Sequence, residues 1–139
     1  MLAFSQPTSA APQPSAGQPS SLYEQFAGVT FPDYQQGFGV HAWGQRTNVT
    51  GGRMIRTVYY RLPDGVPISY SVVSGPSLRV PTSVRQVIVS GVRITIYTTH
   101  RLSFVTLVRA GRTCVLAGPV AARTVLALAA APLLTPSRV

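Results

Sequence analysis

The feature that most constrains the fold is the stretch RMIRTVYYRLPDGVPISYSVV at positions 53–73, in which apolar side chains recur at every second position. A period of two places successive side chains on opposite faces of a β-strand, so the stretch predicts two strands, each with one buried face. Arg56 interrupts this face on the first strand. Proline presets φ and glycine accepts a positive φ, so Pro63-Asp64-Gly65 predicts the turn of a hairpin.

Three other stretches also predict strands. Upstream, FGVHAWGQRTNVTGG predicts a strand that ends at Gly51-Gly52. Downstream, RQVIVSGVRITIYTTH predicts a strand region with a break at Ser90-Gly91, and LSFVTLVRAGRTCVLAG predicts a second hairpin that turns at Ala110-Gly111. Together these segments predict an antiparallel sheet built from hairpins.

One helix is predicted after the strands. The sequence VAARTVLALAAA follows Gly118-Pro119 and is apolar nearly all round, and we expect a helix from about Val120 to Ala131 with Pro119 at its start and Pro132 at its end. A membrane span needs about 20 apolar residues, so this helix is too short, and we predict a core helix lying on the sheet. The fold class is therefore α+β. The expected contacts of the helix are Val125, Leu126 and Leu128.

The composition divides the chain into three parts. Residues 1–22 are rich in Pro, Ser and Ala, which predicts a flexible linker. Residues 23–132 form one expected domain, and residues 133–139 form a tail. At the start of the domain we expect a short helical turn at 21–27, followed by aromatic side chains that dock the segment. These aromatic residues are Tyr23, Phe26, Phe31 and Tyr34.

Charge and chemistry are both unusual. The 12 basic residues are all arginines, against 3 acidic residues, and the net charge is +9. The arginines are dispersed, whereas nucleic-acid-binding proteins usually cluster them on one element, so nucleic-acid binding is disfavoured but stays an alternative. One cysteine and two histidines, His41 and His100, supply few metal ligands or catalytic bases. We therefore expect no enzymatic activity, no bound metal and no cofactor.

Cys114, the only cysteine, allows several interpretations. It lies in the apolar strand sequence TCVLAG, which favours a packing role as a small buried hydrophobe. Arg109 or Arg112 would lower its pKa if either lay close, which leaves open a redox-responsive module. A hydrolytic nucleophile is disfavoured because no motif links a base to this thiol. We expect Cys114 to face the helix and Arg112, in a turn, to face solvent.

Two places are candidates for a ligand or partner surface. One is the sheet face that carries Tyr59 and Arg61, where Tyr60 and Arg56 would complete a basic aromatic patch able to stack bases. Ordinary cross-strand packing of tyrosine and arginine is the alternative there. The other place is the turn from Arg109 to Arg112. His41 and Trp43 share strand parity, and we expect them to form a pair near the sheet edge.

Several of these pieces, taken together, resemble a known family. GRMIRTVYYR and GRTCVLAG, with FPDY before them and a closing apolar helix, resemble the extracytoplasmic domain of membrane-anchored anti-sigma factors from high-GC actinobacteria. The resemblance covers about residues 30–130. Arg112 stands where the family pattern commonly has histidine, and Leu107 stands where it often has tryptophan.

The resemblance implies a non-enzymatic sensory or interaction domain outside the membrane, which meets an unidentified ligand or protein there. The chain lacks the zinc-binding His/Cys cluster of the family's sigma-binding domain and has no expected membrane span. A sigma factor would thus be bound only through a domain that is not in this sequence. The implied location is extracytoplasmic, as part of a membrane-anchored protein; a chain complete as given would instead be expected in the cytoplasm.

Overall fold

A computed structural model describes residues 7–11, 21–32, 34, 39–78, 85–99 and 101–134, which form nine strands and one helix. The elements are β1 (Ser21–Phe26), β2 (Val29–Pro32), β3 (His41–Thr50), β4 (Arg53–Arg61), β5 (Pro67–Val73), β6 (Arg85–Val89), β7 (Val92–Thr98), β8 (Ser103–Arg109), β9 (Arg112–Gly118) and α1 (Ala122–Leu134).

Seven of the strands form one antiparallel sheet in the order β3-β4-β5-β9-β8-β7-β6, while β1 and β2 form a separate hairpin. The predicted hairpins β4–β5 and β8–β9 are both present and lie side by side through β5 and β9. Helix α1 packs against β6 to β9. The predicted α+β arrangement, a hairpin-built antiparallel sheet with a C-terminal helix packed on it, is confirmed.

Tight turns connect the hairpins. At Ala110-Gly111 both residues have a positive φ, 49° and 75°, and at Ser90-Gly91 the values are 50° and 79°. Two consecutive positive φ angles are typical of the type I′ turn, whose twist matches that of the flanking strands. The predicted break at Ser90-Gly91 is therefore a full reversal of the chain, and it separates β6 from β7.

The two faces of the sheet carry different kinds of buried residue. The helix face is the one that carries Tyr60, Tyr70, Cys114 and Leu116, all fully buried in one core with residues of α1. The reverse face carries the residues of opposite parity. Hydroxyl groups are buried on the reverse face, where the Oγ1 of Thr57 and the Oγ of Ser71 lie 2.7 Å apart across β4 and β5.

The β1–β2 hairpin covers the helix face beside α1. Phe31 packs edge-on against Tyr70, with ring centroids 5.8 Å apart, and the Tyr60 hydroxyl donates a 2.6 Å hydrogen bond to the carbonyl of Pro32. The expected docking by aromatic residues thus holds at Phe31. The expected helical turn at 21–27 is wrong, because this segment is β1 and the Ala27-Gly28 turn, whose pairing with β2 satisfies its backbone.

Helix α1 begins and ends later than predicted. It starts at Ala122, so Pro119 precedes it, and it continues past Pro132 to Leu134. Proline lacks the N–H that would bond the carbonyl four residues back, here that of Leu128. The buried Tyr34 hydroxyl donates a 2.6 Å hydrogen bond to this carbonyl instead. Of the expected contacts, Val125 and Leu128 are buried, and Leu126 is half-buried against the core.

The ends of the expected domain also differ in detail. Residues 7–11, inside the expected linker, run beside β3, where Ser9 and Gln45 form an isolated antiparallel bridge. Ser21 and Leu22 belong to β1. The remaining residues of the expected linker and residues 135–139 of the expected tail lie outside the described residues.

Candidate functional site

The five predicted site residues fall into two groups on opposite faces of the sheet. Tyr59 and Arg61 lie on β4 and point to the reverse face, because their neighbour Tyr60 is on the helix face. Arg109 and Arg112 lie opposite each other at the end of the β8–β9 hairpin, on the helix face with Cys114. The two candidate surfaces are therefore separate.

Arg109 and Cys114 belong to a buried cluster around Tyr70. Arg109 donates a 2.5 Å hydrogen bond from Nη1 to the Tyr70 hydroxyl, and its Cζ lies 5.8 Å from the centroid of the same ring. Cys114 is fully buried beside them. Burial raises the pKa values of the hydroxyls of Tyr34 and Tyr70, with desolvation of the charged form as the largest cause.

Burial also keeps the Cys114 thiol protonated. Desolvation raises its pKa to about 11, against the positive charge of Arg109, which lowers it. Since the thiolate is the nucleophilic form of cysteine, the neutral thiol is a poor nucleophile at physiological pH. The position of Cys114 on the helix face agrees with the packing interpretation.

Arg112 does not face solvent, and that expectation is wrong. Its guanidinium is half-buried and donates from Nε to the carbonyl of Ala27, at 3.2 Å, and from Nη1 to the carbonyl of Gly75, at 2.8 Å. Arg112 thus provides donors for both carbonyls and links the β1–β2 turn to the segment after β5. These two donors are directed to backbone carbonyls.

The second group is a surface around the only tryptophan. The pairing of β3 with β4 shifts between Ala42 and Gly44, so a β-bulge leaves Trp43 unpaired and turns its ring over β4. Arg61 places its Cζ 4.1 Å from the centroid of the Trp43 ring, and the Tyr59 ring lies 6.2 Å from that centroid at 58°. We name Trp43, Tyr59, Arg61 and the neighbouring Arg46 the Trp43 surface.

Access to water differs within the Trp43 surface. Trp43 is 36% exposed and Arg61 is exposed, whereas Tyr59 is only 3% exposed and forms the floor beneath them. Burial raises the pKa of Tyr59, and the positive charge of Arg46 partly opposes this. A cation and an indole ring thus remain available to a ligand above a buried tyrosine.

The predicted base-stacking patch is not assembled as expected. Tyr60 is buried on the helix face, and Arg56 shares that face, where its Cζ lies 5.4 Å from the ring of Phe26. Arg56 also donates a 2.6 Å hydrogen bond from Nε to the Oγ1 of Thr47. Adjacent residues of a strand point to opposite faces, so Tyr59 and Tyr60 are unable to share one surface.

Sequence reasoning missed Trp43 as a partner of Arg61. The predicted pair of His41 and Trp43 stays a prediction. The one local signal in the sequence is Gly44, which directly follows Trp43, because a glycine inside a strand often marks a bulge. His41 is exposed at the start of β3, opposite Arg61. His100 lies outside the described residues.

The described part of the chain shows neither a metal site nor a membrane-spanning helix. No group of three or more His, Cys, Asp or Glu side chains there is arranged to hold a metal ion. Within the same residues, no helix has the length and apolar character that crossing a membrane requires.

Comparison of the chain with protein-family models, with curated proteins and with solved structures finds no match.

Proposed function

We propose that this chain is a non-enzymatic sensory or interaction domain of an anti-sigma-factor-like transcriptional regulator, and that it acts outside the cytoplasm as part of a membrane-anchored protein. The resemblance supports this assignment through two pieces that form strands of the same sheet, with β5 between them. GRMIRTVYYR supplies β4, and GRTCVLAG supplies β9, the middle strand of seven.

The observation that carries the binding role is the contrast between the accessible Trp43 surface and the buried thiol. Trp43 and Arg61 present a cation and an aromatic face to solvent, while Cys114 is buried and protonated. A contact of this kind is typical of recognition, because Arg pairs with anionic groups and the ring stacks on flat ones. The net charge of +9 would also steer an acidic partner toward the sheet.

The binding role is tested with the fluorescence of Trp43, the only tryptophan. Poly-L-glutamate serves as an acidic probe, and we expect saturable quenching of the emission. Arg61→Gln should weaken binding by about tenfold, the loss expected for a charge-assisted contact. Arg93→Gln is the matched control, since Arg93 is also exposed and loses the same charge on β7, at the other end of the sheet.

If Arg61→Gln and Arg93→Gln weaken binding equally, the result would contradict specific binding at the Trp43 surface, because net charge alone would then account for the affinity. Tighter binding of oligodeoxythymidylate than of poly-L-glutamate, with a steep salt dependence, would favour the nucleic-acid alternative. A probe that binds without changing the Trp43 emission would place the binding site elsewhere.

The regulatory assignment is tested separately, through the genome and through transcription. We expect the coding sequence to continue in frame into a membrane span and a zinc-binding sigma-binding domain, or to have a sigma-factor gene beside it. Deleting the codons for residues 23–132 should then change transcription from promoters of that sigma factor. Unchanged transcription would contradict the assignment even if the Trp43 surface binds its probe.

A further inference from the structure

The edge of the sheet at β3 carries a contact that the proposed function does not use. An edge strand presents unpaired N–H and C=O groups, which can accept another extended segment. At Gln45 these groups are paired with the N-terminal segment: the amides of Thr8 and Ser9 donate to its carbonyl at 2.9 and 3.0 Å, and its amide donates to Ser9 O at 3.0 Å. The side chain of Gln45 adds a 3.0 Å bond from Nε2 to Ala10 O.

Gly44 shapes this edge for a proline ring. A Cβ atom placed on Gly44 would lie 2.5 Å from the Cβ and 2.8 Å from the Cγ of Pro7, and 3.3 Å from the carbonyl oxygen of Ser9. Any larger residue would therefore force the segment away from β3. Gly44 is buried although it belongs to an edge strand, and the proline ring lies where its side chain would be.

The segment is held in a way that allows release. Thr8, Ser9 and Ala10 are exposed, and only Pro7 and Ala11 are half-buried. None of these five residues has a large apolar side chain. The few hydrogen bonds must therefore offset the entropy lost when the segment is ordered. Such a balance favours an exchange between docked and undocked states over a permanent strand pairing.

We propose that the β3 edge is an acceptor site for an extended, proline-bearing segment, and that Pro7–Ala11 of the same chain occupy it as a releasable strap. This is strand addition, in which backbone hydrogen bonds give affinity and one pocket gives specificity. The strap lies directly beside the bulge residue Trp43, which precedes Gly44. Release of the strap would therefore alter the support of the Trp43 surface, so the inference adds regulation to that surface but does not depend on its ligand.

Hydrogen exchange in the full chain tests the strap. The amide of Gln45 donates to Ser9, whereas the amide of Thr47 points to the same edge two residues further along. We expect the Gln45 amide to exchange at least about tenfold more slowly than that of Thr47. Gly44→Ala should abolish this difference, and Pro7→Gly should reduce it, while amides of β4 and β5 stay protected in both variants.

Val49→Ala is the matched control, because it changes an exposed side chain of the same strand beyond the strap. Equal exchange of Gln45 and Thr47 in the parent chain, or unchanged protection of Gln45 in Gly44→Ala, would overturn the proposal. Protection that rises with protein concentration, together with a dimer in sedimentation, would assign the strap to a second copy and would overturn the assignment to the same chain.

Discussion

Arg61 and Arg109 make the same kind of contact, a guanidinium group near an aromatic ring, in two regions of the sheet that differ in access to water. Arg61 lies 4.1 Å from the centroid of the Trp43 ring, which is 36% exposed. Arg109 lies 5.8 Å from the Tyr70 ring, which is fully buried. The residue types are similar, so the surroundings decide what each pair can do.

Desolvation is the physical difference between the two pairs. Moving a charge out of water is costly unless polar groups replace the water, and the Tyr70 hydroxyl does this for Arg109. Breaking the buried pair therefore leaves the Arg109 guanidinium without the hydroxyl that replaces water. At the surface, water replaces any contact that Arg61 loses, so the Trp43 pair can open for a ligand at little cost. The comparison predicts a stabilising role for Arg109 and a binding role for Arg61.

The largest expected effect comes from breaking the buried pair. Tyr70→Phe removes the hydroxyl that accepts the hydrogen bond of Arg109 and leaves the ring in place. We expect a loss of about 1.5 to 3 kcal/mol in the free energy of unfolding, the range for a hydrogen bond to a charged group. Urea denaturation measures this loss.

Tyr97→Phe is the control for that substitution. Tyr97 is half-buried, and its ring stacks on Phe104 with centroids 5.1 Å apart, so the ring contact survives the change. We expect less than about 0.5 kcal/mol for this variant. Similar losses at Tyr70 and Tyr97 would mean that the buried hydroxyl contributes nothing through Arg109.

Alkaline pH should weaken the buried cluster through Cys114. Burial raises the pKa of this thiol from its ordinary value of 9.0 to about 11, so the folded protein holds the proton more tightly than the unfolded chain. The resulting stability is present in full below pH 9 and is lost as the pH rises toward 11. We expect the parent chain to lose on the order of 1 to 3 kcal/mol more than Cys114→Ala over this interval.

Denaturation of both proteins by urea at about pH 8 and about pH 10.5, on either side of the ordinary thiol pKa, measures that difference. The buried tyrosines titrate in both chains, so the difference between the two proteins reports the thiol together with its coupling to Tyr34 and Tyr70. The same burial predicts that Cys114 reacts slowly with a disulfide reagent in the native chain and quickly in denaturant. Fast labelling of the native chain, or an equal loss of unfolding free energy at alkaline pH in the two proteins, would favour the redox interpretation over the packing interpretation.

A smaller effect is expected where Tyr34 completes α1. Tyr34→Phe leaves the carbonyl of Leu128 without the hydroxyl donor, since Pro132 has no N–H to offer. We expect a loss of about 1 to 2 kcal/mol, the usual cost of an unpaired buried carbonyl. Pro132→Ala supplies the missing N–H, so Tyr34→Phe should cost less in that background. A double-mutant cycle with equal costs in both backgrounds would contradict this exchange of donors.

The sheet could be predicted from the sequence because period-two alternation and turn residues act locally. The reversal at Pro63-Asp64-Gly65 and the turn at Ala110-Gly111 each need only their own residues. The end of α1 at Leu134 could not be predicted in this way. It depends on the hydroxyl of Tyr34, which lies 94 positions before the carbonyl it satisfies.

The candidate site was predictable only in part, for a similar reason. Tyr59 and Arg61 were found because strand parity identifies residues that share a face. Trp43 was missed as their partner because the sequence does not show which residues of β3 and β4 lie opposite each other, and a β-bulge shifts this pairing at Trp43. The pairing of Ser9 with Gln45 was hidden as well, since it uses backbone groups that every residue carries.

The smallest expected effect is that of Arg61→Gln, because the same Arg→Gln substitution should behave differently in the exposed pair and in the buried pair. Arg61→Gln removes a charge at an exposed ring, where water and the remaining surface solvate what is left. We expect a change within about 0.5 kcal/mol in the free energy of unfolding. Arg109→Gln removes a charge that is half-buried against Tyr70 and should cost clearly more, since the Tyr70 hydroxyl loses its donor. Urea denaturation of the two variants side by side measures the difference. If Arg61→Gln destabilises as much as Arg109→Gln, then Arg61 supports the fold through Trp43 and is not free to meet a partner.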